Sequence, residues 1–236
     1  MKRLCTICVR GGSKGVPNKN IRVLNGRPLL AYSIDHARRS GLFERVAVSS
    51  DSEEILAVAR DAGADDVINR PAELASDTAS KVPAIHHALT TIEERHSVRY
   101  DTLVDLDATS PLRLPQDIIG AVALLEGERV ASVITGAPAH RSPYFNLVEA
   151  RPDGSVAVSK PLPAGVVRRQ DAPRSYDMNA SIYGWKASVF RESPQVFYSD
   201  TRLFEMPPER SFDIDSPLDF EIVEFLMRRT SSPQAE

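Results

Sequence analysis

Residues 3–20 read RLCTICVRGGSKGVPNKN. An apolar run over 3–9 gives way at once to a loop holding three glycines and a group of cationic and amide side chains. The run predicts a strand, and the loop predicts what lies at its end. In open α/β sheets ligands sit at the carboxyl ends of strands. A glycine-rich backbone there can turn its N–H groups toward an anion. Arg10, Lys14 and Lys19 add charge suited to phosphate oxygens. The stretch is neither GxxxxGK[ST] nor GxGxxG, since position 13 is Ser and position 16 is Val. It reads either as an uncatalogued phosphate loop or as a solvated turn with scattered cations.

Outward from this loop the pattern alternates. PLLAYSIDHARRSG predicts a helix with Pro28 near its start and Gly41 past its end. RVAVSS (45–50) predicts a strand, and Asp51 or Ser52 caps the helix EEILAVARDAG. DDVIN, DTLVDLDA and VASVITG predict strands, interleaved with helices in VPAIHHALTTIEERH and QDIIGAVALLEG. Strands alternating with helices of this length imply a mostly parallel α/β sheet covered on both faces. Near residue 137 the rhythm breaks into a proline-rich stretch with a hairpin signal at Pro152-Asp153-Gly154. It predicts an inserted β arm over 137–180 between the two parts of the main domain, 1–136 and 181–236. The end returns to a helix, SPLDFEIVEFLMRR, with Ser216 as cap and Pro217 at its first position.

Composition removes several classes. The 236 residues are 42% hydrophobic and 26% charged, with net charge −3. A mildly acidic chain argues against nucleic acid or an anionic membrane surface as partner. No apolar run nears the ~20 residues of a membrane helix, and the N-terminus lacks the features of a signal peptide. The chain reads as cytoplasmic. Cys5 and Cys8 have CxxC spacing, but a three-residue offset on a strand sends their side chains to opposite faces. Buried, reduced cysteines are expected.

Two acidic pairs stand out. In FDIDSPLD, Asp213 and Asp215 share one face of an extended segment. Two carboxylates so placed suit Mg²⁺ completed by substrate phosphates, or else a solvated strand end with a helix cap. In TLVDLDATSPLR, Asp105 and Asp107 end a strand. They read as further metal or hydroxyl contacts, or, for Asp105, as a structural residue. His86 and His87 fall in a helical pattern and read as packing or helix-face residues.

Taken together, these motifs resemble the acylneuraminate cytidylyltransferase family, which makes CMP-sialic acids and related CMP-nonulosonates. The resemblance spans nearly the whole chain. It rests on Arg10, Gly12, Ser13, Lys14, Gly15, Lys19 and Asn20, then RPAELASDTAS (70–80), TSPLR (109–113), NASIY (179–183, often NGAIY in the family) and DIDSPLD (213–219). It implies a nucleotidyltransferase, Rossmann-like three-layer fold with a small dimerisation arm. It implies that Arg10, Ser13, Lys14 and Lys19 hold the triphosphate of CTP, with Gly12 also nucleotide-binding and Asn20 close by. Arg70 and the backbone near Ala79 would read cytosine. Asp213 and Asp215 would hold Mg²⁺, the expected cofactor, and Arg10, Lys14, Lys19 and Asp213 would carry the catalysis. Asp107, His140, Arg169, Asp177 and Asn179 would line the site of a nine-carbon 2-keto sugar acid. Arg113 and Arg141 would pair with its carboxylate, since a planar fork matches a carboxylate. A homodimer is expected, with the arm at the neighbouring site.

The sequence departs from the sialic acid pattern in places. LQPTSPLR becomes LDATSPLR at 106–113, placing Asp107 where the family has Gln; Lys81 stands where Ser is usual; Asp177 stands where Arg is common. DLDATSPLR, HRSPYFNLVE, RRQDAP and YDMNASIY are most similar to the bacterial subgroup that activates legionaminic acid. The alternatives are another 2-keto acid such as an octulosonate, a phosphonate carboxylate, or a non-catalytic nucleotide-binding regulator.

Overall fold

The computed structural model describes residues 1–12, 15–76, 78–162 and 168–231, with Arg169 and residues 230–231 described by their backbone alone. The opening run forms β1 (Arg3–Cys8). A short hairpin, β2 (Val23–Leu24) and β3 (Arg27–Pro28), leads into α1 (Leu29–Ser40). Gly41, in the left-handed region at φ 67°, closes α1 as the sequence predicts. β4 (Arg45–Ser50) leads to α2 (Glu53–Asp61), whose cap is Ser52: its Oγ accepts from the Ile55 N–H at 3.4 Å. β5 (Asp66–Asn69), α3 (Lys81–His96), β6 (Thr102–Leu106), α4 (Pro115–Glu128) and β7 (Ser132–Pro138) continue the alternation. β8 (Val148–Ala150) and β9 (Val156–Val158) form a separate hairpin across the expected turn. The chain then returns through β10 (Tyr176–Lys186), α5 (Ala187–Glu192), β11 (Arg202–Glu205) and α6 (Pro217–Ser231). β7 and β10 extend into the two ends of the 137–180 stretch.

Seven strands make one sheet in the order β11-β7-β10-β6-β1-β4-β5. Every pairing is parallel except those of β10, which is antiparallel to both β6 and β7. This reversal matters for the site. It brings the start of β10 to the edge where the parallel strands have their carboxyl ends. β10 also carries a register shift between Met178 and Tyr183, and Ala180 there has φ 51°. An L-residue in that region is strained, and bulges of this kind re-aim side chains near active sites.

Apolar layers fill both faces of the sheet. Cys5, Ile7 and Val9 pack with Leu30, Ile34, Ile55, Ile118 and Val122 from α1, α2 and α4. Leu4 and Cys8 pack with Ile85, Leu89, Trp185 and Phe190 on the other side. The two free cysteines therefore lie on opposite faces, as their spacing requires. A third cluster joins Leu24, Leu29 and Tyr32 to Ile214, Phe220 and Val223 of the C-terminal segment. Ser216 and Asp219 cap α6 reciprocally: Ser216 Oγ donates to Asp219 Oδ2 at 2.8 Å, and the Asp219 N–H donates to Ser216 Oγ at 3.2 Å. This cap and the burial of Ile214 fix the acidic segment against the opening loop.

Candidate active site

A cleft of about 410 Å³ opens at the carboxyl ends of β1, β5 and β6. It collects Arg10, Lys19, Asn20, Arg70, Ala79, Asp107, Asp213 and Asp215 from the residues expected on sequence grounds. It also holds Gly15, Lys81 and Thr109. Asn20 is buried and its amide donates to the Arg10 carbonyl at 3.0 Å, so it shapes the loop from beneath. Arg10 donates to the Ser76 carbonyl at 3.1 Å across the cleft mouth. Lys19 donates to the Ile214 carbonyl and to Asp215 Oδ1, the latter at 3.1 Å. It therefore ties the opening loop to the acidic segment. A Cβ on Gly15 would collide with the Asp215 carbonyl, while one on Gly12 would meet nothing within 4 Å. The close backbone approach falls at Gly15; Gly12 is exposed and outside the cleft lining. Ser13 and Lys14 lie outside the described residues, as does the side chain of Arg169.

Arg70 is a brace at the edge of the cleft. Nη2 donates to the carbonyls of Val9 and Ser49, both at 2.7 Å, Nε to Ser49 Oγ at 3.3 Å, and Nη1 to the Leu74 carbonyl at 3.4 Å. One of the five guanidinium N–H groups is left over. The Ala79 N–H closes a turn on the Ser76 carbonyl at 3.1 Å.

At the cleft floor the acidic pairs meet a lysine. Lys81 Nζ lies 2.8 Å from Asp105 Oδ2 and donates to Asp107 Oδ2 at 2.9 Å. The Asp105 contact is a close ion pair without hydrogen-bond alignment. Asp105 is fully buried and also accepts from Thr6 Oγ1 at 2.8 Å. Burial pushes its carboxyl up despite the lysine. Asp107 is held at about 2: Lys81 and the Thr109 donors outweigh burial. The same two carboxylates push Lys81 up against its own desolvation. Two of the sequence departures, Asp107 and Lys81, are thus partners in one contact. Lys81, which the sequence showed as a departure from the family pattern, lines the cleft itself, and Thr109 joins it.

A second cleft, about 850 Å³, adjoins the first. It is lined by Ala137 and Pro138 from the end of β7, Asp177 to Ala180 from the start of β10, His140, Pro208 and Glu209, and residues 211–213 with Asp215. Asp177 Oδ2 accepts from the His140 N–H at 2.9 Å. Asn179 is buried: its Oδ1 accepts from Thr135 Oγ1 at 2.7 Å and its Nδ2 donates to Ser211 Oγ at 3.0 Å. Asp213 and Asp215 line both clefts. Asp213 Oδ1 is buried without a hydrogen-bond partner, and burial, with Asp107 and Asp215 nearby, raises its carboxyl to about 6.

The comparisons with known proteins decide the family. A family model described as "Cytidylyltransferase" matches residues 4–229. The chain belongs to the cytidylyltransferase family. This cytidylyltransferase is 48% identical over 225 residues to post-translational flagellin modification protein B of Campylobacter coli, covering 95% of this chain and 94% of that one. It is 47% identical to the CMP-N,N'-diacetyllegionaminic acid synthase of Campylobacter jejuni, over 95% and 94% of the two chains. The N-acylneuraminate cytidylyltransferase of Escherichia coli is 33% identical over 94% of this chain and 51% of its own length. A solved CMP:2-keto-3-deoxy-manno-octonic acid synthetase, complexed with CTP, superposes with TM-score 0.69 over 98% of this chain and 100% of its own. At 17% identity it shows that the nucleotidyltransferase fold is shared.

Two expectations need revision in the cytidylyltransferase. Arg113 does not face a substrate. It is fully buried, and its guanidinium donates to the Ser181 and Asp107 carbonyls, both at 2.8 Å, and to Ser33 Oγ. Burial lowers it to about 10. It locks the loop after β6 to the start of β10. Asp107 faces the first cleft and is absent from the lining of the second, with both oxygens already accepting from Lys81 and Thr109. His86 and His87 stand outside both clefts, as their helical placement suggests.

The residues present fit a magnesium ion. Among the described residues no set of three or more His, Cys, Asp or Glu is gathered as metal ligands. The protein's share would be Asp213 and Asp215, and the buried Asp213 Oδ1 has no hydrogen-bond partner. Mg²⁺ characteristically takes one or two carboxylates and completes its shell with water and substrate phosphates. Among the described residues no helix is long and apolar enough to cross a membrane.

Proposed function

We propose that this enzyme transfers the cytidylyl group of CTP to the anomeric hydroxyl of a nonulosonic acid, and that the acid is legionaminic-like. The single observation carrying the two-substrate reading is that Asp213 and Asp215 line both clefts. A nucleotide in the first and a sugar acid in the second would meet at these carboxylates. The choice of sugar rests on the relative that makes CMP-N,N'-diacetyllegionaminic acid, whose similarity runs through nearly the whole of both chains.

The hydroxyl oxygen attacks the α-phosphorus, the bond from that phosphorus to the bridging oxygen of the β-phosphate breaks, pyrophosphate leaves, and the hydroxyl proton passes to solvent water. Such transfers depend on positioning and charge neutralisation. Arg10 and Lys19 supply fixed positive charge at the nucleotide side. Arg70 offers its remaining N–H to the nucleotide. Asp213 and Asp215 would hold Mg²⁺, which when bound neutralises phosphate charge. Asp177 offers an acceptor to hydroxyl or amide groups of the sugar. A homodimer built on the arm is also proposed, supported by Leu147, Val148 and Val156, which are exposed on and beside the β8–β9 hairpin.

Pyrophosphate release measured with each of the four nucleoside triphosphates and Mg²⁺, against diacetyllegionaminate, pseudaminate, N-acetylneuraminate and octulosonate, tests the reading. Release confined to CTP with diacetyllegionaminate is expected. Preference for another acid would overturn the sugar assignment, and no release with any pair would overturn the activity. Chelation of the metal should stop release and Mg²⁺ restore it.

A further inference from the structure

Lys81 breaks a local rule. It is the first residue of the sixteen-residue helix α3, where the helix dipole disfavours a cation, and Ser80 before it makes no side-chain cap. Its side chain reaches inward to two carboxylates, one of them fully buried. Sequences that violate local preference do so chiefly at functional sites. The ammonium has three donors. Asp107 takes one in an aligned hydrogen bond, and Asp105 holds the group without alignment. The Lys81 side chain remains 29% exposed, and what it is exposed to is the first cleft. That cleft also contains Arg10, Lys19, Asp213 and Asp215.

We infer that Lys81 is a phosphate-contacting residue of the nucleotide cleft, and that Asp105 and Asp107 are the counter-charges that hold its ammonium in place. A lysine on a flexible stem is a poor donor until its rotamers are fixed. Clamping it between two carboxylates pre-organises one N–H toward an anionic oxygen. Asp107 then acts on the nucleotide through Lys81, as a positioning residue. The inference rests on the CTP reading of the first cleft.

The rival role for Lys81 is charge cancellation alone, and a paired substitution separates the two. Lys81→Met with Asp107→Asn removes one charge of each sign, keeps the shape of the Asp107 side chain and leaves an unbranched stem at 81 that lacks the ammonium. This variant leaves the buried Asp105 carboxyl without its cation, so it is expected to be less stable than the wild type yet folded at the temperature of the binding assay. Its affinity for CTP with Mg²⁺, measured by calorimetry without sugar acid, is expected to fall at least tenfold. Cytidine, measured as a competitor, should bind both proteins alike. Wild-type affinity for CTP in the folded double variant would overturn the inference, and an equal loss for cytidine would move the contact off the phosphates and overturn it too. Should the double variant not fold, wild-type protein with isotope-labelled lysine answers the same question. The Lys81 ammonium signal, assigned by its loss in Lys81→Arg, should shift with CTP and stay still with cytidine; no shift at saturating CTP would overturn the inference. Failure of CTP to bind the wild type would instead refute the nucleotide reading itself.

Discussion

Replacing Asp213 with Asn should make the protein more stable and nearly inactive, and the gain should depend on pH. In the folded chain burial and the neighbouring carboxylates raise Asp213 from the ordinary 3.8 to about 6. Above that value the folded state carries an ionised group that it disfavours. At 1.36 kcal/mol for each pH unit of displacement, this amounts to about 3 kcal/mol near neutrality. The stabilising preference for the protonated acid is fully present below pH ~4 and is lost as pH rises through ~6. Asn has no such loss. The gain from Asp213→Asn should therefore be up to about 3 kcal/mol at pH 7.5 and about half that at pH 5. Urea unfolding of both proteins at the two pH values, without Mg²⁺ or nucleotide, measures it. Pyrophosphate release should fall about a hundredfold or more, the scale seen when a fixed electrostatic group is removed from a reacting centre. A variant that is less stable, or whose gain is the same at both pH values, would refute the account of a desolvated carboxylate held for function.

Other substitutions probe the scaffold around it. Ala180→Gly should raise stability by about 1 kcal/mol, because Ala180 sits at φ 51° where only glycine is at ease; denaturant midpoints test it. Gly15→Ala places a methyl against the Asp215 carbonyl and should lower kcat/KM at least tenfold while circular dichroism stays unchanged. Arg113→Lys should cost about 2–4 kcal/mol in unfolding, by forfeiting buried hydrogen bonds, yet leave the KM for sugar acid unchanged in protein that remains folded. A raised KM would return Arg113 to the substrate site.

Local chemistry was legible in the sequence to the extent that it is local. Period and punctuation place α1, from Leu29 to the Gly41 stop, and the Ser216 cap of α6. Alternation in DIDS puts Asp213 and Asp215 together with Ile214 turned into the core. What failed to show were facts of long range. The reversed direction of β10 leaves no trace in its composition, yet it delivers Asp177 and Asn179 to the cleft edge. Arginines are mostly exposed, so nothing in TSPLR marks Arg113 as fully buried; its partners Ser33 and Ser181 lie 80 and 68 positions away. Lys81 and Asp107 were visible only as two separate oddities. Their opposite charges were the available signal that they belong together.

The two clefts draw on separate stretches of the chain. Apart from Asp213 and Asp215, the first is furnished by residues 8–109 and the second by residues 137–212. If the first cleft takes the nucleotide and the second the sugar acid, as proposed, acceptor choice could change by revising the later segment while the donor's half stays untouched. An exchange of residues 137–180 with a relative of different sugar preference is a graft across a natural seam. Under that reading, a change of acceptor need not disturb the half that would bind the nucleotide.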